Sequence, residues 1–161
     1  MIQVSMTVNG IQESHAVSPR TLLVNYLRDH CGLTGSNIGC DTTQCGCCTI
    51  HMDGRAVKSC TLLAVQAEGT DIVTIEGLGH PGALHPLQAA FRKHHALQCG
   101  YCTSGMIMQG VDIIRRGRAG SEAQIRHELE GNICRCTGYQ GIVDAISEVA
   151  HEAPESCAGP K

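Results

Sequence analysis

Residues 39–48 read Gly39-Cys40-Asp41-Thr42-Thr43-Gln44-Cys45-Gly46-Cys47-Cys48, with Cys60 downstream. Taken as Cys40, Cys45, Cys48 and Cys60, the pattern is C-x4-C-x2-C followed by a fourth, distant cysteine. A [2Fe–2S] core needs four thiolates converging on two irons, and this is the spacing that plant-type ferredoxins use for it. A tight loop aims three thiolates from one side, and the chain beyond a hairpin delivers the fourth. Gly39 and Gly46 permit the backbone geometry such a loop needs. Loop N–H groups that point at the sulfurs help to set the potential.

Working outward, the flanks read as short strands. Val4, Met6 and Val8 alternate with polar residues, and Asn9-Gly10 is a two-residue hairpin signal. Ile11 to Val17 forms the return strand. Ser18-Pro19 opens a helix whose apolar face is Leu22, Leu23, Tyr26 and Leu27. Gly32 stops it. Beyond the loop, Thr49-Ile50-His51-Met52 and Ala56-Val57-Lys58 flank Asp53-Gly54, a second hairpin signal. Asp71 to Ile75 is a last strand.

The run Glu76-Gly77-Leu78-Gly79-His80-Pro81-Gly82 reads as a linker. After it the apolar period becomes helical. Leu84, Leu87 and Phe91 fit a first helix, with Pro86 in its opening turn. Met106, Gly110, Ile113 and Ile114 fit a second that ends near Gly117. Ser121 and Gln124 make a capping box for a third, with Ile125 and Leu129 on its inner face. Ile142, Ala145, Ile146 and Val149 line a fourth. Four short helices predict a small bundle. The boundaries that follow are 1–77, 83–153 and a disordered tail, 154–161.

The second half carries its own quartet, Cys99 and Cys102 with Cys134 and Cys136, each pair beside a predicted helix end. C-x2-C with C-x-C fits zinc as well as iron when taken alone. The neighbouring ferredoxin-type loop shifts the reading to iron. Cys31, Cys47 and Cys157 are read as packing or near-surface thiols, because adjacent side chains such as Cys47 and Cys48 do not easily face one iron. His80, His94 and His95 are read as solvated surface, and Met106 and Met108 as core.

Composition fits these assignments. The chain has 161 residues, 11 of them cysteine and 19 glycine, with a single Phe and no Trp. Such a chain has little apolar mass in either half, so metal ligation is expected to help hold it together. Lys+Arg total 12 against Asp+Glu 15, which provides no basic face for nucleic acid. The N-terminus lacks the basic and apolar regions of a signal peptide, and no stretch is long enough to span a membrane. The expected location is the cytoplasm, where dense cysteine indicates metal rather than disulfides. No Ser/His/Asp set, phosphate loop or dinucleotide-binding glycine motif is present.

With both quartets placed, the chain resembles the iron–sulfur small subunits of the molybdenum hydroxylases: xanthine dehydrogenase, aldehyde oxidoreductase and carbon monoxide dehydrogenase. The resemblance rests on Gly39-Cys40-Asp41, Cys45-Gly46-Cys47-Cys48-Thr49, Gln98-Cys99-Gly100-Tyr101-Cys102-Thr103, Gly105-Met106-Ile107-Met108 and Gly131-Asn132-Ile133-Cys134-Arg135-Cys136-Thr137-Gly138-Tyr139. It runs from about Val4 to Ala150. Val57-Lys58-Ser59-Cys60-Thr61 and Ala64-Val65-Gln66-Ala67 look most like the carbon monoxide dehydrogenase branch. Two positions depart from the family: Cys47 stands where a small residue is usual, and Ser104 where proline is usual.

The resemblance implies an α+β fold, with an N-terminal ferredoxin-like β-grasp domain and a C-terminal four-helix bundle. It implies two [2Fe–2S] clusters on this chain, a molybdopterin cofactor on a large subunit and FAD on a medium subunit, in a dimer of heterotrimers. Electrons would run from molybdenum to the bundle cluster, then to the ferredoxin-type cluster, then to flavin. Gln98 and Cys136 would approach the pterin, and no substrate site would lie on this chain. A free-standing two-cluster ferredoxin and a zinc-stabilised structural protein are the alternatives. Colour separates iron from zinc, and the size of the native complex separates subunit from carrier.

Overall fold

A computed structural model describes residues 1–152. Expectations for the tail and Cys157 lie outside those residues. Five strands form one mixed sheet: β1 (Ile2–Val8), β2 (Ile11–Val17), β3 (Thr49–Met52), β4 (Arg55–Lys58) and β5 (Asp71–Val73). Their order is β2-β1-β5-β3-β4, with β1 and β5 parallel and the remaining pairs antiparallel. Both hairpin turns fall where the sequence places them. Asn9 and Gly10 have φ of 51° and 80°, and Asp53 and Gly54 have 48° and 76°. Two positive φ values in succession define the turn that matches the strands' twist.

Val4, Met6, Val8, Val17, Ile50 and Ile72 point to one face of the sheet, where Leu23, Tyr26 and Leu27 cover them. The covering helix begins later than Ser18-Pro19. Ser18 instead closes a turn, accepting a hydrogen bond from the Thr21 N–H at 2.9 Å. Leu22 remains extended because it bridges to Leu63. Helix α1 therefore spans only Leu23–Asn25 and widens directly into a π-helical stretch, Tyr26–His30.

The last strand is also shorter than expected. The side chain of Asn9 captures Thr74, accepting from its N–H at 2.9 Å and donating to its hydroxyl at 3.0 Å. The strand ends there, and Ile75–Leu78 forms a helical turn, α2, inside the segment read as linker. Glu76 pins that turn by accepting the Gly35 N–H at 2.7 Å.

Four further helices follow: α3 (Pro86–Lys93), α4 (Thr103–Arg115), α5 (Glu122–Glu128) and α6 (Gln140–Glu152). Leu87, Phe91, Met106, Ile113, Ile125, Ile142 and Ile146 form their shared core, and Ile75 and Leu78 pack against it. Pro86 occupies the first turn of α3, where its missing N–H costs nothing. Ser121 caps α5 by accepting the Gln124 N–H at 3.2 Å, but the reciprocal half of the capping box is displaced. The Gln124 side chain takes the Gly120 N–H instead.

The second face of the sheet meets α4. His51 is buried and bonds the Met108 carbonyl at 2.8 Å through Nε2. The Ala56 N–H donates to Asp112, and Arg115 donates to the Gly54 carbonyl at 2.8 Å. Strand β3 is thus covered on both sides, which explains why its polar residues Thr49 and His51 are as buried as Ile50. This contact brings the two cysteine-bearing regions together.

Candidate iron–sulfur centres

The first loop lies between Gly39 and the start of β3. Gly46 has φ of 72°, a left-handed value that turns the chain between Cys45 and Cys47. The Cys45 N–H donates to Cys40 Sγ at 3.4 Å. The N–H groups of Cys45 and Thr42 pull the Cys40 thiol down to about 6, because they favour the thiolate. Cys48 and Cys60 are both buried and pack against Val24. Ser59 holds them together, since its hydroxyl donates to the Cys48 carbonyl at 2.8 Å. The turn after β4 thus delivers Cys60 beside Cys48. Burial raises the Cys48 thiol to about 11.

The second group forms where the chain before α4 meets the loop after α5. Cys136 Sγ and Cys99 Sγ lie 3.6 Å apart, and both residues are exposed. Burial pushes Cys102 up to about 12, with Cys134 and Cys99 beside it adding to the effect. Burial alone would raise Cys134 as well. The Thr137 hydroxyl, 3.1 Å from Cys134 Sγ, and nearby N–H groups outweigh it, and the net shift is downward. Tyr139 accepts the Cys134 N–H at 2.9 Å and so positions the loop.

A cleft of about 230 Å³ is lined by Cys45 and Cys47 together with Cys99, Cys102, Cys134 and Cys136. Cys45 therefore borders the second group while its N–H bonds Cys40 of the first. Cys47 is buried at this seam, and burial pushes its thiol up to about 12. All ten described cysteines are free thiols. Soft sulfur donors converging in two places, each supplied with N–H or O–H donors to sulfur, are the chemistry an iron–sulfur core requires. The residues present fit that group.

The contacts that lock the two regions together are not evident in cysteine spacing. Asn132 is buried and donates to the Gly46 carbonyl at 3.1 Å. The Ile133 N–H donates to the Cys45 carbonyl at 2.8 Å. Tyr101 Oη donates to the Ile38 carbonyl, and the Asn37 amide donates to the Tyr101 carbonyl, both at 2.9 Å. Gly105, in the first turn of α4, lies against Gly46 so closely that a Cβ there would collide with the Gly46 carbonyl oxygen. The available signal for Asn132 was its place in the run Gly131-Asn132-Ile133-Cys134, two residues ahead of a proposed ligand.

The other singled-out residues divide. Gln98 is exposed on the rim beside Cys99. His94 is not free in solvent, because its Nε2 bonds Glu148 at 2.7 Å. Met106 and Met108 are fully buried, as packing residues should be.

Residues 74–147 match the family model described as a [2Fe-2S] binding domain. The chain is 46% identical over 145 residues to the nicotine 6-hydroxylase small subunit of Paenarthrobacter nicotinovorans, covering 90% of this chain and 87% of that one. It is 46% identical over 151 residues to the caffeine dehydrogenase subunit gamma of a Pseudomonas species, covering 91% and 90%. Its fold superposes on a chain of quinoline 2-oxidoreductase from Pseudomonas putida 86 with a TM-score of 0.89 and 45% identity, covering 96% of this chain and 98% of that one. In the aldehyde oxidoreductase from Desulfovibrio gigas the matching unit is 17% of a longer chain, at 40% identity and a TM-score of 0.88. The chain belongs to the iron–sulfur small subunits of the molybdenum hydroxylase family.

Proposed function

We propose that this subunit relays electrons between a molybdopterin-bearing large subunit and an FAD-bearing medium subunit, through two [2Fe–2S] clusters. The observation that carries the reading is the single cleft that Cys45 of the first quartet shares with all four cysteines of the second. Cys40, Cys45, Cys48 and Cys60 hold one cluster; Cys99, Cys102, Cys134 and Cys136 hold the other. When bound, the clusters supply one-electron carriers. The residues of this chain fix their separation and donate hydrogen bonds to the sulfurs.

The second quartet lies against the large subunit. Leu97, Tyr101 and Ile133 leave an apolar rim around the exposed Cys99 and Cys136, and such a rim suits burial by a partner. Gln98 and Cys136 approach the pterin there. The first quartet lies nearer the flavin. The sheet order supports a β-grasp domain over residues 1–77, and the shared core of α3–α6 supports a four-helix bundle over 83–153. The assembly is a cytoplasmic dimer of heterotrimers. Among the described residues no helix is long and apolar enough to cross a membrane.

The substrate is bound by the large subunit. The resemblance of Val57-Lys58-Ser59-Cys60-Thr61 and Ala64-Val65-Gln66-Ala67 favours carbon monoxide dehydrogenase, whereas the relatives named for nicotine and caffeine favour an N-heterocycle hydroxylase. Sequencing the co-purified large subunit decides between them.

The test is metal analysis and electron paramagnetic resonance of the assembled complex. Four irons and four sulfides per chain are expected, with two distinct signals on partial reduction. Cys45→Ser and Cys102→Ser should each remove one signal. The signal lost in Cys102→Ser should be the one strongly coupled to paramagnetic molybdenum. Zinc in place of iron overturns the reading, as does coupling that persists in Cys102→Ser and vanishes in Cys45→Ser.

A further inference from the structure

Away from both quartets, three metal-ligating side chains meet at the open edge of the sheet. Glu13 and His15 are two residues apart on the edge strand β2, so they share a face. Cys31 reaches that face from the end of the π-helical stretch. Its N–H donates to the Tyr26 carbonyl at 3.2 Å, a five-residue span instead of the usual four. Such wide turns occur frequently at functional sites. Here the turn brings Cys31 over β2.

A carboxylate oxygen of Glu13, an imidazole nitrogen of His15 and Cys31 Sγ all lie within 4.8 Å of one another. His15 Nε2 is 2.8 Å from Glu13 Oε2. The ring of His30 tilts against that of His15 with centroids 5.6 Å apart, and the edge of Tyr26 packs on His15 at 5.4 Å. All three donors are half-buried. In a tetrahedral zinc site, with bonds of about 2.0–2.3 Å, ligand atoms stand about 3.3–3.8 Å apart. Small side-chain rotations would bring the set to that size, opening the 2.8 Å Glu13–His15 contact as Cys31 draws in.

Burial keeps the Cys31 thiol and the Tyr26 hydroxyl protonated, so zinc must displace the thiol proton to bind. Burial, and then the Glu13 carboxylate, push the Cys31 thiol up to about 11. Burial first, then Cys31 and Glu13, push the Tyr26 hydroxyl up to about 12. A divalent ion reverses the charge effect. Thiolate with imidazole and carboxylate suits zinc, whereas magnesium and calcium require oxygen donors.

We propose that Glu13, His15 and Cys31 form a mononuclear zinc site, with its fourth position open to water or to His30. Zinc replaces the Cys31 thiol proton, which leaves to solvent; where His15 ligates through Nε2, the proton it shares with Glu13 Oε2 moves to Nδ1, and no electron moves. The ion ties the edge strand to the end of the helix that covers the sheet. This proposal is independent of the relay.

The test uses the full chain with its clusters. It is equilibrated with zinc, desalted and analysed for zinc and iron, and the bound zinc is examined by X-ray absorption. One zinc per chain is expected, with iron unchanged and one sulfur at about 2.3 Å among nitrogen and oxygen ligands. Cys31→Ser and His15→Ala should each weaken zinc binding at least about tenfold, since even outer-shell partners count for that much. If Cys31→Ser fails to fold, His15→Ala and Glu13→Gln carry the comparison. Absence of zinc uptake overturns the proposal, as does equal uptake by wild type and variants. Absorption showing three or four sulfurs also overturns it, because zinc would then occupy a cysteine quartet.

Discussion

The side-chain amide of Asn132 donates to the carbonyl of Gly46 across 3.1 Å, joining residues 86 positions apart in the chain. The same amide nitrogen lies 3.3 Å from the Gly105 carbonyl and 3.4 Å from Thr49 Oγ1. One buried side chain therefore touches the first cysteine loop, the strand after it and the first turn of α4. Asn132→Ala removes a donor that buried carbonyls depend on, at a cost of about 1–3 kcal/mol. Thermal unfolding of the cluster-loaded chain checks this, and an unchanged midpoint would show that the bridge contributes nothing.

Gly105→Ala tests the closest backbone approach between the halves. Its Cβ would collide with the Gly46 carbonyl oxygen and lie 3.0 Å from the Cys47 Cα. Neither atom belongs to a flexible side chain, so α4 must move away from the loop. Overpacking of this kind costs about 1–3 kcal/mol. The expected result is a lower unfolding midpoint and shifted resonance signals from both clusters. Gly110→Ala is a useful contrast, because its Cβ would meet the movable side chains of Leu87 and Ile146.

Cys47→Ala should leave the visible and resonance spectra of both clusters unchanged. Cys47 is buried, shares the seam with Cys45 and immediately precedes Cys48, whose side chain is packed against Cys60. Loss of the first cluster's signal would exchange the roles of Cys47 and Cys48.

Stability should fall in mild acid. Burial, aided by the Arg115 charge, holds the His51 imidazole below its ordinary 6.5, and the Met108 carbonyl and Asp112 only partly offset this. Burial, Arg115 and His51 likewise depress His85. Both groups stay neutral in the fold, while the unfolded chain takes up protons as pH falls through about 6.5. The unfolded state then binds more protons, so stability is full above that pH and is lost below it. The unfolding midpoint should drop between pH 7.5 and 5.5, with cluster absorbance monitored throughout. His51→Gln retains a donor for the Met108 carbonyl and should show a shallower drop.

The sequence by itself determined the local architecture. Alternation marks β1, and the φ-positive pairs Asn9-Gly10 and Asp53-Gly54 turn both hairpins, because side-chain period and turn chemistry act within a few residues. The apolar faces of α3 to α6 were legible for the same reason, except for Leu84, which lies exposed ahead of α3; so was the family, since its motifs are contiguous runs of residues.

Tertiary structure decided everything that depends on residues meeting across the chain. Leu22 is drawn out of a helix by Leu63, and Thr74 is stopped by Asn9, so the element ends shifted where a distant partner outweighed propensity. His51 resembles an exposed strand residue in the sequence and is buried only because α4 lies on β3. Asn132 reaches Gly46, and Glu13 and His15 reach Cys31, only in the folded chain. Periodicity reports which face a residue occupies within its own element. What covers that face is set by packing between elements.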